Sequence, residues 1–193
     1  FIGRLSGGGD WSAGADAGNE YNVCIGNYTM DGTLSGAGYN TALGYNALGG
    51  VTSGDNNIAI GYNAGDGIAG TGNNTAVGVN ALSGVAGADN TAIGFQAGLT
   101  LTGHSNTIAG ANAMYTAAGV DKCVVIGYNA LYTVNDDNAD GTVAIGYEAG
   151  KLVATTVAGA ATAANTLIGY SAGMSQANGS YGLTTGIQNT AVG

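Results

Sequence analysis

One short pattern recurs along most of this sequence. NTALGYNAL occupies residues 40–48 and NTAVGVNAL occupies residues 74–82, while NIAIGYNAG and NTAIGFQAG occupy residues 57–65 and 90–98. A motif that returns at a near-constant interval is typical of solenoids, in which a single repeat cannot bury its own apolar face. The chain is therefore expected to stack similar coils on one another.

A glycine anchors each repeat and is numbered here as position 0. The interval between successive anchor glycines is 16–24 residues, shortest in the middle of the chain and longer towards its ends. A glycine at a fixed place indicates a corner or a close approach of two backbones. The anchors are Gly26, Gly44, Gly61, Gly78, Gly94, Gly110, Gly127, Gly146, Gly169 and Gly193.

Two neighbouring columns of the repeat are apolar. Position −1 is aliphatic in most repeats, position −2 is mostly small, and alanine recurs at position +3. Adjacent side chains of a strand point to opposite faces, so both faces must be covered. One face is expected to line the coil. The other is expected to pack against another copy of the chain, with small side chains allowing close approach.

Polar columns accompany the apolar ones. When identical amide side chains stack at about 4.7–4.8 Å, they can bond to one another along the stack, and asparagine also tolerates the left-handed corner conformation. We expect structural ladders from Asn40, Asn57, Asn74, Asn90 and Asn106 at position −4, from Asn46, Asn63, Asn80, Asn112 and Asn129 at position +2, and from Gly44, Gly61, Gly78 and Gly94. An aromatic column stands at position +1.

Composition excludes the other folds that glycine-rich chains adopt. The 193 residues include 38 glycines but no proline, which excludes collagen, and 45% are apolar, which argues against disorder. Helices would not tolerate so many Gly and Asn residues. The predicted fold is an all-β, parallel β-solenoid of about ten rungs, a rod of roughly 45–50 Å at sheet spacing. Each repeat is expected to hold a pair of short strands.

The domain organisation follows from where the repeats are regular. Residues 1–21 are expected to form an irregular glycine-rich initial segment or a partial rung, and residues 22–193 the solenoid, with longer insertions after residue 131. Both ends of the sequence look like cut repeats, so we expect an excerpt of a longer protein or a processed segment. If the chain is complete, its open ends predict head-to-tail stacking into a filament.

Charge and hydropathy limit the partners. The net charge is −9 with three basic residues, whereas nucleic-acid binding needs clustered Lys and Arg, so no nucleic acid is expected. No run of about 18 apolar residues predicts a membrane span, and no signal-peptide pattern is visible. Cys24 and Cys123 lie about six repeats apart, beyond disulfide reach. They are expected to be buried free thiols, with a link between chains as the alternative.

The asparagine, Ile-Gly and alanine columns over residues 22–193 resemble the NTAIGxxA-type repeats of phage tail-fibre proteins, and they are similar to the head repeats of trimeric autotransporter adhesins. The resemblance implies a left-handed β-roll, three chains side by side, and a shaft or head that binds cell surfaces. Adhesin heads usually have a shorter repeat, so the spacing here favours the fibre-like proteins. The membrane anchor of the adhesins and the self-cleaving chaperone domain of many tail fibres are both missing from this sequence.

Several segments are candidates for a binding site. Asp136, Asn138 and Asp140 match the first half of a calcium loop, but the glutamate expected at its twelfth position is missing, so a solvated acidic loop is the alternative to calcium. No other cofactor is expected. His104 has no nearby metal-ligating partner and is expected to be a surface residue. The aromatic column is expected to pack the coil rather than bind sugars, and Gly7–Asp10 lacks the lysine of a phosphate loop.

These observations predict a structural and adhesive segment of an extracellular or virion fibre, not an enzyme. It is expected to self-associate as a homotrimer or head-to-tail filament and to present loops 132–142, 151–164 and 174–188 to a cell-surface glycan or protein receptor. The main alternative is a β-helical tailspike enzyme that degrades polysaccharide, which would need two positioned carboxylates. An ice-binding solenoid, suggested by a threonine column at position −3, is a third hypothesis.

Overall fold

A computed structural model describes residues 2–7, 19–134, 139–151, 164–173 and 190–193. They form an all-β, parallel β-solenoid, which confirms the predicted fold class. Seven strands of its main sheet lie in the uninterrupted stretch 19–134, about seven turns. Within the described ranges, no helix is long and apolar enough to cross a membrane.

The strands are short and stack in chain order. They are β1 Val23–Ile25, β2 Thr41–Leu43, β3 Ile58–Ile60, β4 Thr75–Val77, β5 Thr91–Ile93, β6 Thr107–Ala109, β7 Thr116–Ala117, β8 Val124–Ile126, β9 Thr133–Val134, β10 Val143–Ile145, β11 Thr166–Ile168 and β12 Thr190–Val192. All but β7 and β9 form one ten-stranded parallel sheet, and β7 pairs with β9 in a second small sheet. Equivalent positions of successive repeats lie opposite one another, as Ala42, Ala59 and Ala76 do.

Each strand of the main sheet covers positions −3 to −1, and its middle residue points into the coil. The side chains at position −2 are fully buried in β1–β6, β8, β10 and β11. The larger aliphatic side chains at position −1 point out of the coil. The expectation that the small residues face a neighbouring chain is therefore wrong. The coil is too narrow for a large residue on every wall, and leucine and methionine from the turns fill it.

The asparagines at position −4 form a buried ladder along the stack. The Oδ1 atom of Asn40 accepts a hydrogen bond from the backbone N–H of Asn57 at 2.8 Å. The same contact recurs in the following layers at 2.9–3.0 Å. In the last of these contacts, Oδ1 of Asn106 accepts the N–H of Cys123. The Nδ2 atoms mostly donate to backbone carbonyls, as Asn57 does to Thr71. The ladder was expected to run from amide to amide. It runs mainly from side chain to backbone, because each corner leaves an N–H that the sheet cannot pair.

The glycine at position 0 follows the strand in a backbone conformation that side chains rarely adopt. Gly94 has a φ of +140°, and a Cβ added to it would lie 2.5 Å from the carbonyl oxygen of Gly110 in the next layer. The other anchor glycines from Gly26 to Gly169 share this geometry, and so does Gly3, which precedes them. Glycine is therefore required both by its φ and by the close approach of the neighbouring layer.

After the glycine the chain turns instead of forming a second strand in every repeat. Position +2 has a left-handed backbone, with φ between 50° and 55° from Asn46 to Ser171. Position +3 holds a buried alanine in most repeats. Position +4 is also left-handed and holds either a large buried side chain or a glycine. The predicted pair of strands per repeat is therefore wrong, because successive left-handed residues bend the chain.

Large and small residues at position +4 interlock between layers. Leu48 is fully buried, and its Cδ2 atom would be 2.9 Å from a Cβ added to Gly65. Leu82 lies in the same relation to Gly98. The leucine of one coil thus fills the space that the glycine of the next coil leaves. Close packing of this kind is typical of protein interiors.

We predict that Asn57→Ala destabilises the solenoid by about 1–3 kcal/mol, because the N–H of Asn74 would stay buried without its acceptor. The matched control is Asn56→Gly, since Asn56 is exposed and has a φ of 58° that glycine adopts freely. Urea-induced unfolding measures both variants. Equal midpoints for the two variants would contradict the structural role of the ladder.

We predict that Gly94→Ala lowers the free energy of unfolding by about 3 kcal/mol or more, because it combines an unfavourable φ with a steric clash against the next layer. The control is Gly70→Ala, at an exposed glycine where a Cβ would meet only the hydroxyl of Ser53. Thermal unfolding followed by circular dichroism compares the two. A Gly94→Ala variant as stable as Gly70→Ala would show that the layers can separate there without cost.

Candidate functional site

The main sheet presents a continuous surface to the outside of the coil. We define the outward apolar face as the residues at positions −3 and −1 of its ten strands together with the column at position +1. At position −1 it contains Ile25, Leu43, Ile60, Val77, Ile93, Ala109, Ile126, Ile145, Ile168 and Val192. Because the strands pair without a shift in register, each column runs straight along the stack.

The aliphatic side chains of this face are substantially exposed. Ile25, Leu43, Ile60, Ile93, Ile126 and Ile168 each leave between 37% and 48% of their surface open to solvent. At position −3 the face contains aliphatic residues, such as Ile58, and threonines, such as Thr75 and Thr91. Single exposed aliphatic residues are ordinary on a protein surface, but a continuous stripe of them indicates an interaction site.

The aromatic column borders the aliphatic ones. Tyr45 and Tyr62 stack with ring centroids 5.4 Å apart, and Tyr147 stacks on Tyr128 and Tyr170 at 5.5 Å and 5.1 Å. Tyr45, Tyr62, Phe95, Tyr128 and Tyr147 are 44–50% exposed. The tyrosine rings of this column pack on one another along the surface, so that neighbouring rings cover their flat faces. This arrangement differs from an open platform on which sugars stack.

No residue of the outward apolar face is charged, although the chain carries a net charge of −9. The acidic residues stand at other positions of the repeat, and three of the described ones accept backbone N–H groups of neighbouring layers. At one corner, Oδ1 of Asp121 accepts the N–H of His104 at 2.7 Å, and Oδ1 of Asp140 accepts the N–H of Asp121 at 2.8 Å. Asp55 accepts the N–H of Gly38 in the same way. These three aspartates therefore cap corners, and the sheet face carries no charge.

His104 belongs to the same corner column. Its Nδ1 atom accepts the backbone N–H of Ala88 at 3.0 Å, and the residue is exposed, as expected for a surface position. The His104 side chain thus caps a backbone N–H of the neighbouring layer, as Asp121 and Asp140 do. Among the described residues, no group of three or more His, Cys, Asp or Glu side chains could hold a metal ion.

The predicted calcium loop is only partly described. Asp136 and Asn138 lie outside the described residues, and Asp140 caps Asp121 as stated above. Of the three loops expected to carry recognition, 174–188 lies wholly outside the described part of the chain. Loops 132–142 and 151–164 are described only at their ends. Calcium and receptor binding by these segments therefore stay predictions.

The amide column at position +2 is less regular than the one at position −4. Asn46 donates through Nδ2 to Oδ1 of both Asn63 and Asp66, at 3.1 Å and 2.8 Å. Asn112 donates to Oδ1 of Asn129 at 3.3 Å, and its own buried Oδ1 has no partner. Partial burial raises the pKa of Asp66, and the hydrogen bond from Asn46 opposes that shift. This column bonds amide to amide, as predicted, but only locally.

Both cysteines are buried free thiols, which confirms the expectation. The Cys24 thiol lies 3.2 Å from the sulfur of Met30, and the Cys123 thiol donates to the carbonyl of Ala139 at 3.1 Å. Burial raises the pKa of Cys24 to about 11 and that of Cys123 to about 12. Such thiols are unreactive, because the thiolate is the nucleophilic form.

No family model, curated protein or solved structure matches this chain significantly. The function must therefore be argued from the surface itself. The columns at positions −1 and +1 were visible in the sequence, but their joint exposure on one face was not. Whether the side chain at position −1 points outward depends on how the interior is packed at position +4. In the sequence, position +4 is occupied by leucine, methionine or glycine, and this pattern is the signal that was missed.

Proposed function

We propose that this chain is a structural segment of an extracellular or virion fibre, and that copies of it associate side by side through the outward apolar face. The observation that carries the proposal is the uncharged apolar stripe along the ten strands of the main sheet. A protein that remained a single chain in water would expose this stripe permanently. Monomeric proteins rarely expose contiguous apolar patches larger than a few hundred Å².

The size of the face fits a stable interface. Ten layers and five backbone positions give a stripe about 45 Å long and about 15 Å wide, or roughly 700 Å². A standard protein interface buries about 800 Å² on each partner. Burial of the whole face on each partner would therefore come close to the area of a standard specific interface.

A second copy of the same chain is the partner that fits best. The side chains of the face repeat at the sheet spacing, about 4.8 Å, so a partner must have the same period to make equivalent contacts in every layer. Another copy aligned in parallel has that period, because its layers have the same spacing. The absence of charge on the face also keeps like charges out of the contact between two chains of net charge −9.

We propose a homotrimer as the assembled form, in which three copies turn their faces towards a common axis, with a head-to-tail filament as the alternative. In either form the coils supply a stiff shaft, and the segments that lengthen after residue 131 would meet a glycan or protein receptor at a cell surface. Location on a virion or outside the cell belongs to the same proposal.

Enzymatic cleavage of polysaccharide is the less favoured function. Glycoside hydrolysis needs two carboxyl groups that face one substrate bond. Among the described acidic residues, Asp55, Asp121 and Asp140 cap backbone N–H groups, and Glu148 pairs with Lys151, whose hydrogen bond lowers the pKa of the Glu148 carboxyl. Release of reducing ends from a bacterial polysaccharide would reverse this preference.

Ice binding is also a less favoured function. The threonines at position −3 do lie on the outward side of the sheet, but the aromatic column argues against this hypothesis. Tyrosine rings that border the threonine and isoleucine columns interrupt a flat surface of small side chains. Thermal hysteresis of a solution of the protein would measure this activity directly.

The association is tested by placing charges on the face. We predict that the double variant Ile60→Lys, Ile93→Lys has the mass of one chain, whereas the unmodified protein has the mass of an integral multiple. Both side chains are exposed in the single chain, so the coil should retain its fold, but a buried unpaired ammonium is costly in an interface. Light scattering coupled to size-exclusion chromatography gives the masses, and circular dichroism checks the fold.

The matched control is Val85→Lys, since Val85 is 71% exposed and lies outside the outward apolar face. This variant should keep the mass of the unmodified protein. An unmodified protein with the mass of a single chain, or a double variant that still assembles like the control, would contradict the proposal.

A further inference from the structure

The tyrosines of this protein are not scattered over the surface. The structure describes ten of the eleven, and every one of them lies against another tyrosine ring. The pairs join equivalent or nearly equivalent positions of successive coils, so the stacking follows from the repeat. Pairs of phenols held at a fixed separation have a chemical consequence that isolated tyrosines lack.

Tyr21 and Tyr39 form the most exposed of these pairs. Their ring centroids are 5.0 Å apart with an angle of 18° between the planes, and the side chains are 70% and 61% exposed. Each stands directly before an asparagine of the position −4 ladder, outside the positions that define the outward apolar face. The pair therefore stays accessible when copies associate through that face.

The backbone under the two rings is held in place. The N–H of Tyr39 donates to the carbonyl of Glu20 at 2.9 Å, and the N–H of Asn40 donates to Oδ1 of Asn22 at 2.8 Å. Both tyrosines have a φ of 60°. The separation of the rings is thus set by interlayer hydrogen bonds, while their exposure leaves room for the rings to tilt towards each other.

The cysteines and methionines within the described residues, which would compete for an oxidant, are protected. Cys24 and Cys123 are buried, and burial raises the pKa of both thiols, which suppresses the thiolate. Met30 and Met114 are fully buried. Within the described residues, the accessible oxidisable side chains are therefore predominantly phenols.

We propose that Tyr21 and Tyr39 are an oxidative cross-linking site that joins the coils of β1 and β2 as dityrosine when a haem peroxidase and hydrogen peroxide are supplied. Each phenol loses one electron and one proton to give a phenoxyl radical. The two radicals couple through a new bond between ring carbons ortho to the oxygens, and the ortho hydrogens return to the oxygens as the rings regain aromaticity. Overall, two phenols and one hydrogen peroxide give one biphenol and two waters.

The cross-link would close a covalent loop between residues that are 18 positions apart in the sequence. Such a loop restricts the unfolded chain and so resists separation of the coils of β1 and β2. Because the rings are held side by side, the coupling is intramolecular and should not depend on how many chains are present. The proposal therefore stands whether or not copies of the chain associate.

The test is oxidation of the purified chain by horseradish peroxidase and hydrogen peroxide, followed by digestion before aspartate and mass spectrometry. Cleavage before Asp16, Asp31 and Asp55 places Tyr21 in peptide 16–30 and Tyr39 in peptide 31–54. The cross-link gives a joined peptide whose mass is the sum of the two less two hydrogens. It also gives the blue fluorescence of dityrosine.

Two variants identify the tyrosines, because Tyr28 and Tyr45 lie on the same two peptides and also contact each other. We expect Tyr39→Phe to reduce the joined peptide at least about tenfold, whereas Tyr45→Phe leaves its yield unchanged, since only the first removes a phenol of the held pair. Phenylalanine retains the stacked ring, and circular dichroism verifies the fold of each variant.

Three results would overturn the proposal. The joined peptide is missing under conditions that couple free tyrosine, it persists in Tyr39→Phe, or its yield falls as the unmodified protein is diluted. The last result would show that the bond forms between chains rather than between neighbouring coils of one chain.

Discussion

The structure depends on one hydrogen bond that is repeated from layer to layer: the side-chain oxygen of a buried asparagine accepts the backbone N–H of the next asparagine. A corner between coils leaves a buried donor that the sheet cannot pair, and an unpaired buried donor costs about 1–3 kcal/mol. From Asn40 to Cys123 each of these donors has a side-chain acceptor at 2.8–3.0 Å. Strands of only three residues can then stack, because the corners are as well bonded as the sheet.

Two steric conditions fix the distance between layers. The anchor glycines allow the carbonyl of the next layer to approach where a Cβ would otherwise stand. At position +4 the large side chain of one layer occupies the space over a glycine of the next, as Leu48 does over Gly65. With small residues at position −2 on the strand wall, the interior is full. The larger aliphatic side chains at position −1 must then point outward, and this produces the face on which the proposed assembly depends.

Much of this architecture could be predicted from the repeat. The recurrence of Ile-Gly gave the parallel stack of coils, and the asparagines at position −4 marked the corners. The orientation of each column could not be read from alternation, since alternation shows that positions −1 and −2 face opposite sides but not which one is inside. The volume of the interior decides this, and it depends on Leu48, Leu82 and similar side chains in the turns.

The hydrogen-bond partners within the asparagine ladder also could not be predicted from the sequence. Asparagine has both a donor and an acceptor in its side chain, so a column of them is compatible with bonding from amide to amide or from amide to backbone. The left-handed residues at positions +2 and +4 include leucine and methionine, which seldom adopt that conformation. Only the combined constraints of neighbouring layers hold them there. As to function, the sequence indicated that one apolar surface needs a partner. The structure shows which residues form that surface and how far it extends.

Amide hydrogen exchange at the corners tests the central claim most directly. The N–H groups of Asn90, Asn106 and Cys123, which donate to asparagine side chains, are predicted to exchange as slowly as the N–H groups of the neighbouring strands. Exchange of these three amides at rates close to those of an unstructured peptide, while the strands stay protected, would show that the asparagine ladder does not hold the layers together.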